Sequence, residues 1–125
     1  MDIIISNASG KPIYEQITAQ IKEQIMSGEL QEGEPLPSMR TLAQQLRISI
    51  ITTKRAYEEL ERDGFIESFT GKGSFVATQN RELFREESLK QIERSLMRAV
   101  EKAKQSNISF EELSDIMKVL YEGDE

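Results

Sequence analysis

The sequence predicts a mainly α-helical protein with one small β-hairpin, arranged as two successive parts. Apolar residues recur at helical spacing in five separate segments. Between the third and fourth of these, two short stretches rich in aromatic and β-branched residues flank a glycine-containing turn. The composition, 38% hydrophobic and 30% charged over 125 residues, is that of a globular chain with one ordinary domain or a smaller domain plus an appendage.

The first helix is predicted to open at Lys11-Pro12, because proline suits the first helical turn, where its missing N–H is not needed. Isoleucines recur at every fourth position and form an apolar stripe: Ile13, Ile17, Ile21 and Ile25. Gly28 is expected to end this helix. Residues 33–37, Gly-Glu-Pro-Leu-Pro, cannot be helical and are predicted to form a stiff extended connection.

Two further helices are predicted next, joined by a tight turn. Ser38 caps the second helix, and Ile48-Ser49 makes the turn. Ser49 caps the third, which runs to about Asp63 before Gly64 ends it. The expected inner faces consist of Leu42, Ala43, Leu46, Thr53, Ala56, Tyr57 and Leu60.

A β-hairpin is predicted from residues 65–69 and 74–77, separated by Thr70-Gly71-Lys72-Gly73. The order helix, helix, tight turn, helix, hairpin is that of a winged helix-turn-helix. Tyr57 and Phe65 are interpreted as core residues rather than stacking platforms.

The tail predicts two amphipathic helices. The first, from Asn80 to Lys104, has three-and-four apolar spacing typical of a helix–helix seam. Residues 105–107 interrupt it, and Ser109 with Glu112 has the spacing of a capping box that begins the second. The predicted contact residues are Leu89, Ile92, Leu96, Val100, Leu113, Ile116, Met117 and Leu120.

Two such helices form an antiparallel hairpin with little core of its own. It must bury its stripes against the first domain or against a second copy of the chain. We therefore expect a winged helix-turn-helix domain at residues 1–78 and a two-helix dimerisation module at residues 79–125.

The missing residue types exclude several classes of function. The chain has no cysteine and no histidine, so it lacks a disulfide framework, the usual zinc ligands and the base of the common catalytic triads. No constellation of carboxylates stands out. We expect neither an enzyme nor a metal or other cofactor. No apolar run approaches the roughly 20 residues of a membrane span, and the N-terminus does not resemble a signal peptide. These absences favour the cytoplasm, with no membrane partner.

The charge pattern is uneven. The net charge is −6, which argues at first against nucleic acid. Between Pro35 and Tyr57, however, the only charged residues are basic: Arg40, Arg47, Lys54 and Arg55. Such a gap could arise by chance, but a DNA-binding face needs only local positive potential.

Residues 28–77 resemble the GntR superfamily of bacterial regulators. The matching stretches are Gly28–Leu30, Gly33–Ala43, Ile48-Ser49, Ala56–Ile66 and Gly71–Val76. The two-helix tail is similar to that of the YtrA-type subfamily. The resemblance implies a homodimer on double-stranded operator DNA of palindromic sequence, usually acting as a repressor. In YtrA-type regulators the operator often lies upstream of the regulator's own operon, which commonly includes transporter genes.

The resemblance also implies which residues read DNA. Ser38-Met39-Arg40 matches the family motif whose arginine contacts DNA, although Arg40 could instead be solvated or paired with a glutamate. The family positions that match the start of the third helix also contact DNA: Ser49, Ile50, Thr52 and Lys54. The N-terminal end of this helix should enter the major groove.

Helical geometry adds Ile51 and Arg55, which point away from the core face together with Glu58. Ile50 departs from the arginine or polar residue common in the family. It could pack with Ile51 on thymine methyl groups, or it could fit into the edge of the core. Arg47 stands where many members have glycine, so either it adopts a strained turn conformation or the turn differs.

The last candidate site is the hairpin tip, Gly71-Lys72-Gly73. Glycine permits close approach of the backbone to a sugar-phosphate chain, and Lys72 adds charge near the minor groove. An ordinary turn with an exposed lysine is the alternative.

For the whole protein, the competing interpretation is a winged-helix adaptor that binds other proteins. The sequence does not indicate whether a small-molecule effector binds.

Overall fold

The structure, a computed structural model, describes residues 1–78 and 81–123. Its elements are α1 (Ile13–Met26), α2 (Met39–Leu46), α3 (Ile50–Arg62), β1 (Ile66–Phe69), β2 (Gly73–Val76), α4 (Arg81–Gln105) and α5 (Phe110–Glu122). The chain divides into two compact units, Met1–Arg81 and Glu82–Glu125. The mainly helical class with one hairpin is confirmed. The predicted helix start at Asn80 lies outside the described residues.

Helix α1 supplies the central apolar stripe of the first unit. Ile17, Ile21 and Ile25 are fully buried, because a four-residue repeat keeps them on one side of the helix. Pro12 caps α1 rather than occupying its first turn, since its backbone is extended, with ψ at 147°. The helix ends at Met26, two residues before Gly28.

Three glutamines on a second side of α1 hold the N-terminal segment in an extended line along the helix. Gln20 bonds both backbone groups of Ile4: the Ile4 N–H donates to Oε1 at 2.9 Å, and Nε2 donates to the Ile4 carbonyl at 2.7 Å. Four residues of a helix rise about 6 Å, which is close to the roughly 6.6 Å that two extended residues span. Glutamines four positions apart on α1 can therefore bond every second residue of the N-terminal segment. The glutamine–backbone pairs are Gln16 with Ser6, Gln20 with Ile4 and Gln24 with Asp2.

The helix-turn-helix consists of α2, a tight turn and α3. Arg47 ends α2 in the left-handed conformation, with φ 57° and ψ 48°. The strained alternative for this residue is therefore the correct one, at a cost of about 1 kcal/mol. Tyr57, on the inner side of α3, is buried and donates its hydroxyl to the Pro37 carbonyl at 2.7 Å. Burial raises the pKa of the Tyr57 phenol above its ordinary value.

The hairpin pairs β1 and β2 antiparallel, with Ile66 opposite Val76 and Phe69 opposite Gly73. The extended connection before α2 joins it on the other edge of β2. There Val76 N–H donates to the Glu34 carbonyl at 2.9 Å, and Leu36 N–H donates to the Ser74 carbonyl at 2.9 Å. This pairing fixes the approach to α2 relative to the hairpin. Phe65 is buried in the core, as Tyr57 is.

The second unit contains the two predicted tail helices. Ser109 caps α5 by accepting the Glu112 N–H at 3.1 Å, as the capping-box spacing predicts. Within one chain, α5 buries none of its described residues, and α4 buries only Ala103 among those described. Their apolar stripes are therefore left open. No helix in the described ranges is long and apolar enough to cross a membrane.

Candidate nucleic-acid interface

Both helices of the helix-turn-helix begin with the same arrangement of hydroxyls. Ser38 Oγ accepts the Thr41 N–H at 3.0 Å and donates to Thr41 Oγ1 at 2.8 Å. Ser49 Oγ accepts the Thr52 N–H at 3.1 Å and lies 2.9 Å from Thr52 Oγ1. A helix N-terminus carries partial positive charge. Two serine-threonine pairs therefore stand where backbone amides and dipoles favour an anion such as phosphate.

Sequence reasoning singled out Ser38 and missed Thr41. The Ser38 hydroxyl already donates its hydrogen bond to Thr41 Oγ1. The exposed Thr41 hydroxyl only accepts in that bond, so its own proton can be donated to an external group. Thr41 is consequently the better donor at the start of α2. The spacing Ser-x-x-Thr occurs again at Ser49 and Thr52, and that repetition was the available signal.

Three of the predicted basic residues form no ion pair within the described part of the chain. Arg40 on α2, Lys54 on α3 and Lys72 at the hairpin tip are all exposed. Among the described residues, no carboxylate lies within ion-pair distance of any of them. The alternative in which Arg40 pairs with a glutamate therefore has no support among residues 1–78 and 81–123. Each of these cations is available to an external anion.

Arg55 differs from the other cations because the protein already engages it. Its guanidinium carbon lies 3.7 Å from the centroid of the Tyr14 ring, and Nη2 donates to the Tyr14 hydroxyl at 3.0 Å. Its Nε lies 3.9 Å from a Glu59 carboxylate oxygen. The side chain is still 61% exposed. Tyr14, far away in sequence, was not among the predicted site residues.

Ile50 and Ile51 begin α3 with a large exposed apolar area. Ile51 is 80% exposed, and Ile50 is 46% exposed. Ile51 thus contributes almost nothing to the core. Ile50 lies between the two predicted alternatives, partly against the protein and partly in solvent. An exposed apolar pair at the start of a helix is consistent with a surface that a partner covers.

The hairpin tip exposes the backbone of two glycines and one positively charged side chain. Lys72 N–H donates to the Phe69 carbonyl at 2.9 Å, which closes a tight turn. Gly71 and Gly73 have φ of 78° and 104°, which side chains with a Cβ rarely adopt, so the turn itself requires glycine. All three residues of the tip, Gly71, Lys72 and Gly73, are exposed.

Charge along α3 changes sign between its two ends. Lys54 and Arg55 lie in the first half, whereas Glu58, Glu59 and Glu61 follow in the second. A polyanion is therefore favoured at the N-terminal end and repelled at the C-terminal end.

Among the described residues, no cluster of acidic side chains is suited to hold a metal ion.

Comparison with known proteins agrees with this geometry. Residues 13–76 match the family described as "Bacterial regulatory proteins, gntR family". The HTH-type transcriptional repressor YtrA of Bacillus subtilis is 34% identical over 116 residues, which cover 93% of this chain and 89% of that protein. The match therefore extends beyond the helix-turn-helix into the tail. YtrA and its Bacillus subtilis relative YhcF, which is 36% identical over 115 residues, are both named as HTH-type transcription regulators.

Solved structures show the same fold. A transcriptional antiterminator from Listeria monocytogenes EGD-e is 34% identical, with a TM-score of 0.73, and covers 99% of this chain and 92% of that one. The DNA-binding domain of AraR, solved in complex with operator ORX1, is 26% identical, with a TM-score of 0.55, over 62% of this chain and 96% of that one. The chain therefore belongs to the gntR family of bacterial regulatory proteins, among its YtrA-type members, and is a DNA-binding transcription regulator.

Proposed function

We propose that this regulator is a homodimeric repressor that reads a palindromic operator with the starts of α2 and α3 and with the hairpin tip. The observation that carries the proposal is the pair of serine-capped helix N-termini beside Arg40 and Lys54, two exposed cations without ion-pair partners in the described chain. An acid-free stretch surrounds them in sequence. This combination matches the phosphate backbone and the base edges of the major groove.

The residues have distinct roles in this proposal. Arg40 binds a guanine edge bidentately or a phosphate, and Lys54 binds a phosphate or a base acceptor. The hydroxyls of Thr41, Ser49 and Thr52 donate to phosphates. Other contacts come from Ile50 and Ile51 on thymine methyl groups, from Arg55 on a phosphate, and from Gly71, Lys72 and Gly73 at the minor groove.

The tail supports the dimer. Its predicted contact residues remain open in a single chain, although each is apolar. The exposed members are Leu89, Ile92, Leu96 and Val100 on α4 and Ile116, Met117 and Leu120 on α5. Leu113 is half-buried. A second copy would cover these stripes, because identical amphipathic helices are complementary to themselves under two-fold symmetry.

Two-fold symmetry of the dimer implies two-fold symmetry of its operator. Each copy presents one α3 to the major groove, so the half-sites are expected to be inverted repeats about one helical turn, or a multiple of it, apart. By resemblance to YtrA-type regulators, we place the operator upstream of the protein's own operon, with transporter genes among its targets.

The experiment uses a labelled duplex selected from random-sequence DNA by the wild-type protein. Arg40→Ala and Lys54→Ala should weaken binding while leaving thermal unfolding unchanged. Loss of a phosphate contact should lower the slope of log affinity against log salt by about one unit, and loss of a guanine contact should relax selectivity at one base pair. Arg62→Ala is the matched control, because Arg62 is an exposed cation at the acidic end of α3. Unchanged binding by both test variants would reject the proposed face.

A further inference from the structure

Tyr14 and Arg55 form a contact between α1 and α3 at the edge of the proposed DNA face. The guanidinium stacks over the phenol ring at 3.7 Å from the centroid and also donates from Nη2 to the ring hydroxyl at 3.0 Å. Stacking and hydrogen bonding together restrict both the position and the tilt of the guanidinium plane. A lysine could not reproduce this arrangement, because it lacks the planar fork.

The contact leaves Arg55 able to bind something else. A guanidinium has five N–H donors, and the Tyr14 hydroxyl accepts one of them. The Glu59 carboxylate is 3.9 Å from Nε, an ion-pair distance that is too long for a hydrogen bond. No other hydrogen bond of this guanidinium to the described residues is found, and the side chain is 61% exposed. Tyr14 therefore fixes the position of a guanidinium that still has most of its N–H donors available for a ligand.

The location of Arg55 indicates what that capacity is for. It is one turn after Ile51 on the outward side of α3 and next to Lys54, before the acidic second half of the helix begins. If the start of α3 lies in the major groove of DNA, an arginine at this boundary would lie beside the phosphate backbone. Ordering the side chain in the free protein lowers the conformational entropy lost on binding.

We propose that Tyr14 is a positioning residue for DNA binding, which holds Arg55 in the orientation that meets an operator phosphate. This rests on the proposed function, because it assumes that the start of α3 lies in the major groove. Tyr14 itself need not touch DNA. The competing explanation is that the pair only joins α1 to α3 and contributes to folding.

A double-mutant cycle separates these explanations. The probe is the duplex selected from random-sequence DNA by the wild-type protein, and affinity is measured by fluorescence anisotropy at several salt concentrations. Tyr14→Leu keeps apolar bulk but removes the π face, and Tyr14→Phe keeps the ring but removes the hydroxyl. Each is combined with Arg55→Ala, and thermal unfolding is recorded for every variant.

We expect Arg55→Ala to lower the salt slope by about one unit. Tyr14→Leu should weaken binding roughly two- to five-fold, the factor that an exposed cation–π contact supplies, and Tyr14→Phe should restore part of that loss. In the Arg55→Ala background, both Tyr14 substitutions should have no further effect on affinity. Such non-additivity on DNA affinity is what a purely structural contact would not produce.

Three results would overturn the inference. One is an Arg55→Ala variant with unchanged affinity and salt slope. Another is a Tyr14→Leu effect of equal size with and without Arg55. The third is a Tyr14→Leu variant that loses thermal stability but retains wild-type affinity. If Arg40→Ala and Lys54→Ala still weaken binding in these cases, the proposed function stands and only the role of Tyr14 fails. If they too have no effect, the DNA face itself is wrong.

Discussion

At the scale of single residues, Ile51 has the least usual environment in the proposed interface. It is 80% exposed at the start of the helix that should enter the major groove. Thymine offers the only methyl group in that groove, so an exposed isoleucine there favours A·T pairs. We expect replacement of thymine by uracil within each half-site to reduce wild-type affinity, with a loss on the order of 1 kcal/mol per lost apolar contact.

The Ile51→Ala variant provides the control for that experiment. Its affinity should be the same for thymine and uracil duplexes, since the contact has already been removed. Equal binding of both duplexes by the wild-type protein would show that Ile50 and Ile51 do not read the methyl group. Specificity would then come from Arg40 and Lys54, the two side chains that are proposed to reach base edges or base acceptors.

Gln16 is the residue whose polar contacts matter most for the N-terminal segment. It is 8% exposed, accepts the Ser6 N–H at 2.8 Å, and its Nε2 lies 3.0 Å from the carbonyls of Ser6 and Lys11. We expect Gln16→Ala to lower the free energy of unfolding by about 2 kcal/mol, because part-buried backbone groups lose their partners. Chemical denaturation measures this. Gln45→Ala, at an exposed position of α2, should change stability by less than about 0.5 kcal/mol.

At the scale of elements, the turn of the helix-turn-helix stores backbone strain at Arg47. Its φ of 57° is a conformation in which a Cβ costs about 1 kcal/mol or more. We expect Arg47→Gly to raise the free energy of unfolding by up to about 1 kcal/mol, less the larger unfolded-state entropy of glycine. Gln45→Gly, within the helix, should instead destabilise the protein by a similar amount. A destabilised Arg47→Gly variant would contradict this explanation of the turn.

The elements also show which features can be predicted from sequence. The serine caps of α2, α3 and α5 were predictable, because capping depends on residues three positions apart. The hairpin was predictable from its flanking β-branched residues and its glycines. The strained state of Arg47 was left open between two alternatives, since it depends on how α3 packs against α2.

Contacts between distant parts of the chain were not predictable in the same way. The pairing of Glu34–Leu36 with β2 has no local signature, because either partner alone is compatible with a loop. The Tyr14–Arg55 contact joins residues 41 positions apart. Periodicity places each on an outward helical face but does not indicate which outward faces meet. The candidate site was therefore predicted as a set of residues on separate elements, without the contact that links them.

At the scale of the whole molecule, an acidic protein has to attract DNA with a local field. The net charge is −6, but the acid-free stretch between Pro35 and Tyr57 concentrates positive charge on α2 and the start of α3. With this net charge, we expect weak nonspecific adhesion to DNA, because the whole protein does not attract a polyanion over long range. In the proposed dimer, affinity for a specific site would then depend strongly on two such faces acting together.

Dimerisation is the remaining prediction at this scale. The 125-residue chain at micromolar concentration should sediment as two copies, because α4 and α5 leave their apolar stripes exposed in one chain. A fragment ending at Thr78 should sediment as one chain and stay folded, since the first unit contains its own core. The fragment should bind a single half-site weakly, as it lacks the effective concentration that a linked second half supplies.

A pair of charge substitutions on α4 tests the same surface without truncation. Leu96→Glu places a carboxylate within the stripe and should dissociate the dimer, because a buried unpaired charge costs several kcal/mol. Arg94→Glu introduces the same residue about 200° around the helix, where it should face solvent and leave the dimer intact. The Leu96→Glu protein should also bind the palindromic duplex no better than a single half-site. A wild-type chain that sediments as one copy would contradict the dimer and leave the exposed stripes without a partner. A Leu96→Glu variant that sediments as two copies would place the dimer contact elsewhere.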